Sequence, residues 1–311
     1  MELDKIIPLQ ETPKTPYQTS IAVPILRFRW IHAQCFQFEL PGGKILMTDP
    51  FFPQNPKAWK EVCTPAFDAD ELGKVDYVTI NHSHFDHTAN LPDLFKQARP
   101  TVICDRIFAR ELSAAFQVPE ACIHPIVPGL TYHFDDFTLN TFSGNHTDLG
   151  TVSNFDGGKM FADPENPMIG PLNSYGCLYN TNYAFTLKNG FFIGFAAGVD
   201  LTDLQAAWKN RRPGLLLRQR IATASAESYA EECASLGAQL VLPMHQDASC
   251  AENSDMNLFA QKVNGRFVQK NCTARMFNPQ RLKWYSLESR ICLDELELML
   301  MAMFEQPTLK D

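Results

Sequence analysis

Residues 75–88 read VDYVTINHSHFDHT, and the rest of the chain can be organised around them. The first part, VDYVTI, has the length and β-branching of a buried strand. The apolar run stops at Asn81, and three histidines and an aspartate follow as His82-Ser83-His84-Phe85-Asp86-His87. In a chain leaving a strand, residues two apart point to one side, so His82 and His84 can offer nitrogens to one cation. The chain then turns toward a helix near Thr88, where Asp86 and His87 can swing toward a second cation. Imidazole mixed with carboxylate suits zinc first, with manganese or iron as alternatives. The competing reading, a solvated loop that happens to be rich in histidine, is disfavoured because the cluster follows directly on a β-branched strand.

Two cations held ~3.5–4 Å apart need further ligands, each expected where a strand gives way to a loop. His146 follows the strand-like FTLNTF, Asp200 follows GFFIGFAAG, and His245 follows AQLVLP. Upstream, ILRFRWIH and CFQFEL alternate as strands do, and Gly42-Gly43 predicts a hairpin into KILMTD. Helices are predicted over 88–97 and 106–116, with the strand TVICD between them. Asn189-Gly190 predicts a second hairpin, joining YAFTLKN to GFFIGFAAG. Beyond it LTDLQAAWKN, SAESYAEECASLG, SDMNLFAQKV and LDELELMLMAMF read as helices, and AQLVLP and RLKWYSL as strands. Residues 147–182 read as a long loop that could wall a pocket. This order suits two mixed sheets packed face to face with helices outside, an α+β sandwich of four layers, αββα.

The 311 residues carry 27 Lys plus Arg against 35 Asp plus Glu, a net charge of -8, which argues against a nucleic-acid partner. No stretch reaches the ~20 apolar residues of a membrane span. Nine cysteines without a Cys-x-x-Cys pair read as reduced thiols, and the polar N-terminus lacks a signal peptide's apolar core, so a cytoplasmic location is expected. A small molecule is the expected partner, and a homo-oligomer is compatible with all of this.

Asp49 in ILMTDPFF, the NHSHFDH segment, His146, Asp200 and His245 in LPMHQD stand in the order found in the metallo-β-lactamase fold hydrolases, which the sequence resembles over nearly its whole length. The opening FRWIHAQCFQFELPGGKILMTDPFF looks like the branch of ascorbate-6-phosphate lactonase and the N-acylphosphatidylethanolamine phospholipases. That branch begins Trp-x-Gly-His-Ala, whereas Trp30-Ile31-His32-Ala33 lacks the glycine. The resemblance implies one hydrolase domain over 1–311, with a C-terminal extension at 254–311. It implies His82, His84 and His146 on a first divalent ion, Asp86, His87 and His245 on a second, and Asp200 bridging them. Asp49 would orient a histidine ligand from outside, with His32 near the site, although a core histidine fits His32 equally well. Asp86 and His245 would be catalytic, and a metal-bridging hydroxide would attack a small ester, lactone or phosphoester. The family usually has Gly-Asp at the bridging position; this chain has Gly198-Val199-Asp200.

Arg211 and Arg212, in a basic run over 208–220, and Tyr175 in the long loop are candidates for substrate binding, weighed against a solvated helix end and a surface excursion. His124 and His133 follow no motif and read as structural. Within the same fold, a phosphodiesterase or phospholipase is the alternative, and a nuclease is disfavoured by the charge. A diiron oxygen-reducing relative would carry a glutamate where His84 stands and an added flavin domain. A non-catalytic metal- or ligand-binding relative remains, to be separated by a broad substrate screen.

Overall fold

The computed structural model describes residues 7–8, 19–52, 69–146, 169–220, 224–246 and 255–293. Among them the first sheet holds β1 (Ile7–Pro8), β2 (Thr19–His32), β3 (Cys35–Glu39), β4 (Ile45–Thr48), β5 (Tyr77–Thr79), β6 (Thr101–Asp105), β7 (Ile123–Ile126) and a late strand, β15 (Tyr285–Leu293), in the order β1-β15-β2-β3-β4-β5-β6-β7. The second holds β8 (Thr131–His133), β9 (Phe137–Gly144), β10 (Asn180–Leu187), β11 (Phe192–Ala196), β12 (Leu215–Gln219), β13 (Leu240–Met244) and β14 (Arg275–Met276), in the order β14-β13-β12-β11-β10-β9-β8. Both sheets are mixed: β4 to β7 run parallel in the first, where β1 also pairs parallel with β15, and β11 to β14 run parallel in the second.

Side-chain alternation sorts the apolar residues into three cores. Phe36, Phe38, Leu46 and Ile103 of the first sheet meet Tyr183, Phe185, Leu215, Leu217 and Leu242 of the second. Met47, Val78, Val102 and Cys104 point the other way, toward α2 (Leu91–Gln97), α3 (Ala109–Phe116) and α4 (Ile169–Gly176). On the far face of the second sheet, Leu216 and Val241 pack under α5 (Thr202–Trp208), α6 (Ala226–Ser235) and α7 (Met256–Gln269). Parallel strands buried on both faces read as unbroken apolar runs such as LLL in β12, which is why alternation is faint there. The layer order αββα thus follows from which face each residue buries.

The helix expected over 88–97 is two helices, α1 (Phe85–Thr88) and α2. Pro92 has no N–H and its ring would collide with the carbonyl four residues back, so one helix cannot run through. Asn90 takes up the break, accepting from Phe52 N at 2.7 Å and donating to Asp93 at 2.9 Å. Both predicted hairpins form, with Gly43 and Gly190 at φ +76° and +81°. The stretch expected as loop over 147–182 contains α4 and the start of β10; residues 147–168 lie outside the described residues, as do the predicted helix over 293–304 beyond Leu293 and most of the Pro-rich segment after Phe52.

Arg218 of β12, 1% exposed, ties the second sheet to its helices and to the turn after β11. It donates to the carbonyls of Ala196 and Gly198 at 3.0 and 2.9 Å and pairs with Glu232 of α6 at 2.9 Å. Arg218→Met would strand two buried carbonyls and the Glu232 carboxylate. A loss of about 3 kcal/mol in urea unfolding is expected, and a variant as stable as the wild type would contradict this account of the turn.

Candidate metal centre

The ligand-type residues gather where strands end. Asp49 follows β4, the 82–87 segment follows β5, His146 follows β9 and His245 follows β13, all along the edge where the two sheets meet. Cross-sheet bonds fix that edge: Thr181 N donates to Asn81 O at 2.8 Å, Tyr183 Oη to Ile80 O at 2.6 Å, and His245 N to Ala33 O at 2.9 Å. Three non-glycine residues here hold left-handed backbone, Ala33 at φ +42°, Asp49 at +39° and His245 at +61°. Such conformations cost free energy and persist only where neighbours impose them.

Two groups result. His82, His84 and His146 offer one ligand atom each, all within 4.8 Å of one another, and so do Asp86, His87 and His245. His82 Nε2 lies 3.0 Å from His84 Nδ1. Two nitrogens bound tetrahedrally to one zinc ion would stand about 3.3 Å apart, so this pair needs only a small spread to accept it. The groups abut, with the His82 and His87 ring centroids 3.9 Å apart. Asp86 Oδ2 is 3.1 Å from His245 Nε2 and 3.7 Å from His87 Nε2. His87 turns its other nitrogen, Nδ1, toward Asp49 Oδ1 at 3.5 Å, and Asp49 is itself held by Asn81 N at 2.7 Å. A buried carboxylate behind a histidine orients the ring and leaves its far nitrogen facing inward.

Protonation suits cation binding. Burial pushes His82 well below its ordinary value, with the neighbouring histidines adding to it. His84 falls to about 3, again chiefly through burial and against the pull of Asp86. Both rings are therefore neutral near pH 7 and have a lone pair to give. Burial alone would raise Asp86, but His87 and the hydrogen bond to His245 outweigh it and hold the carboxyl well below its usual range. Burial raises Asp49, opposed by His87. His82 and His84 thus offer neutral imidazole and Asp86 an ionised carboxylate, donors suited to a hard-to-intermediate divalent ion.

Other sequence candidates fall elsewhere. Asp200 is exposed and its Oδ1 accepts from Thr202 N at 2.9 Å at the start of α5; it is in neither group. Val199 takes the place next to Gly198, its N donating to Asn145 O at 3.2 Å. Arg211 and Arg212 precede β12, at the opposite end of the parallel strands from His245. There Arg211 donates to Gly190 O at 3.2 Å and lies over Phe192, and both are exposed. They do not line the cluster, because a five-residue strand separates them from it. Tyr175 is half-buried on α4 against the first sheet's outer core. His32, 1% exposed, meets Phe51 edge-on at 5.2 Å, and Phe51 meets Phe85, the neighbour of Asp86, at 5.6 Å. His124 meets Tyr132 and Phe134 edge-on, and His133 is paired with Thr138, both away from the edge.

Sequence reasoning missed the supports. Asn182 accepts from Ala197 N at 2.8 Å and Gly198 N at 3.1 Å, pinning the end of β11, and Cys177 stands 3.4 Å from His84 Nε2. Neither belongs to a motif; a buried asparagine run in β10, NTN, was the available signal for the first.

Residues 27–166 match the family model described as "Beta-lactamase superfamily domain", which takes in Asp49, the 82–87 segment and His146 but ends before His245. A protein of Polaromonas sp. named "UPF0173 metal-dependent hydrolase" is 39% identical over 67 residues, 21% of this chain and 22% of that protein's own length. A possible metal-dependent hydrolase from Veillonella parvula has a similar structure, with TM-score 0.58 and 14% identity, covering 84% of this chain and 98% of that one. The metallo-beta-lactamase fold protein YhfI of Bacillus subtilis superposes at TM-score 0.52 with 11% identity, covering 83% and 98%. The chain has the metallo-β-lactamase fold. Among the described residues no helix is long and apolar enough to cross a membrane.

Proposed function

We propose that the chain is a cytoplasmic metal-dependent hydrolase of one integrated domain, holding two divalent ions, zinc first, and acting on a small ester, lactone or phosphoester. The observation that carries this reading is the adjacency of two ligand triads, His82-His84-His146 and Asp86-His87-His245, built from both sheets. The relatives' printed name supports metal-dependent hydrolysis, and Cys35, Cys104, Cys122, Cys177, Cys233 and Cys272, cysteines among the described residues, form no disulfide, which suits a reducing compartment.

Divalent ions held there would supply Lewis acidity toward a carbonyl or phosphoryl oxygen and would acidify bound water. The protein's part is to keep His82 and His84 neutral by burial, to aim His87 through Asp49, and to hold Asp86 ionised. Asp86 is placed to take a proton from the attacking water and pass it to the leaving group. His245, largely buried beside it, can steady that carboxylate through their 3.1 Å contact.

Elemental analysis of the purified protein, joined to a screen of lactones, thioesters and phosphodiesters with and without chelator, tests this. About two ions per chain and turnover lost on chelation, then restored by zinc or manganese, are expected. Chelator-resistant turnover, or a metal-free protein that refuses added zinc, would sink it. Asp200→Asn should leave metal content and turnover unchanged; a drop to one ion per chain would show that Asp200 swings in to bridge.

A further inference from the structure

Asn81 is buried where β5 gives way to the histidine segment, and its backbone N and O and its side-chain Oδ1 and Nδ2 are all engaged. Two of these groups meet Thr181 of β10, in the other sheet: the carbonyl accepts from Thr181 N at 2.8 Å, and Nδ2 donates to Thr181 O. The other two face the ligand cluster. The backbone N donates to Asp49 Oδ1 at 2.7 Å, and Oδ1 lies 2.7 Å from His82 Nδ1.

A backbone carbonyl has no hydrogen to give, so Thr181 O settles the Asn81 amide: nitrogen faces Thr181 and oxygen faces His82. That oxygen can only accept, and the hydrogen between the two side chains therefore belongs to His82 Nδ1. The lone pair of the ring is then on Nε2. In the metal-free protein it accepts from His84 Nδ1, 3.0 Å away, and a divalent ion would take the place of that hydrogen. We infer that Asn81 is a positioning residue, which fixes the His82 tautomer and so turns Nε2 toward the ion of the His82-His84-His146 group. A hydroxyl at this position could donate as well as accept and would leave the tautomer open; an amide clamped by Thr181 cannot. The same residue serves the second group, because Asp49, held by its backbone N, stands 3.5 Å from His87 Nδ1. One residue at the junction of the two sheets thus sets a ligand in each group. The inference rests on the reading of His82 as a ligand, but the tautomer can be observed without any metal.

The test has two readouts. Long-range nitrogen–proton spectra of metal-free, histidine-labelled protein, with the His82 signal assigned by its loss in His82→Gln, report which nitrogen carries the hydrogen. Chelator competition with zinc reports affinity. In the wild type His82 should carry its hydrogen on Nδ1. Asn81→Leu removes the acceptor and should give mixed tautomers, with zinc binding weaker by about 10- to 100-fold. Asn81→Asp loses the donation to Thr181 O but still offers His82 an acceptor, so Nδ1 should stay protonated and zinc affinity should stay within a few-fold of wild type. A merely structural role would weaken zinc binding in both variants alike, in step with their loss of stability. An unprotonated Nδ1 in the wild type, or wild-type tautomer and affinity in Asn81→Leu, would overturn the role. Should Asn81→Leu fail to fold, the wild-type tautomer and the zinc affinity of Asn81→Asp decide. A wild-type protein that carries the hydrogen on Nδ1 yet binds no zinc would overturn the proposed function and leave the hold of Asn81 on His82 standing.

Discussion

Asp86→Asn is expected to lower kcat/KM on whichever substrate the screen yields by about 10²- to 10⁴-fold, the range for loss of a positioned general acid or base. The substitution keeps size and removes charge. That charge is what the site maintains: burial favours the neutral carboxyl, and His87, His245 and His84 together hold Asp86 ionised. Asparagine cannot take a proton from water, and its amide nitrogen would face His245 Nε2 where an acceptor stood at 3.1 Å. Two measurements separate the roles. If Asp86 is mainly a ligand, metal content falls with activity; if it mainly transfers protons, the ions stay and one limb of the pH profile disappears. Activity within a few-fold of wild type would remove Asp86 from the chemistry altogether. The contrast with Asp200 is built into the structure, since Asp200 is solvated and already engaged by Thr202 N.

Why the two aspartates differ also shows what a sequence can and cannot carry. His82, His84, Asp86 and His87 stand on one short segment leaving a buried strand, so local periodicity alone brings them together. His146 and His245 are foreseeable for a similar reason, each lying one or two residues past a strand, and the hairpin at Asn189-Gly190 puts the intervening strands in register. Past Gly198 the same logic misleads. In extended chain a shift of one residue turns a side chain to the other side, so Val199 takes the position beside Asn145 and Asp200 turns outward to α5. The supports were harder to see. IGPLNSYG, with two glycines and a proline, is a poor helix by propensity, and α4 exists because it packs on the histidine segment. Cys177 had no sequence partner because its partner is 93 positions away, across the sheet edge. Arg211 and Arg212 stand at the end of β12 away from the cluster, a placement a charge run does not announce because it says nothing about which end of a parallel strand it occupies.

The metal-free protein is expected to lose stability steeply as pH falls below about 6.5, the ordinary value for histidine. The sign follows from the direction of the shifts. Burial lowers His82 well below that value and His84 to about 3, so between about 6.5 and 3 the unfolded chain takes up protons that the folded one refuses. Stability from these groups is complete above the unfolded value and is lost on acidification, by about 1.4 kcal/mol per pH unit for each histidine. Two histidines over two pH units reach several kcal/mol, comparable to the whole margin of an ordinary domain. Asp86, lowered in the fold, steepens the loss further near pH 4, whereas Asp49, raised by burial, opposes it. Urea midpoints at pH 7, 6 and 5 should therefore fall progressively, and His82→Gln with His84→Gln should flatten the trend while removing zinc binding. Zinc, which needs the neutral rings, should raise the midpoint most at pH 7 and progressively less in acid. A midpoint unchanged from pH 7 to pH 5 in the metal-free wild type would mean that these imidazoles titrate freely, and with that the argument that burial keeps them ready for a cation would fail.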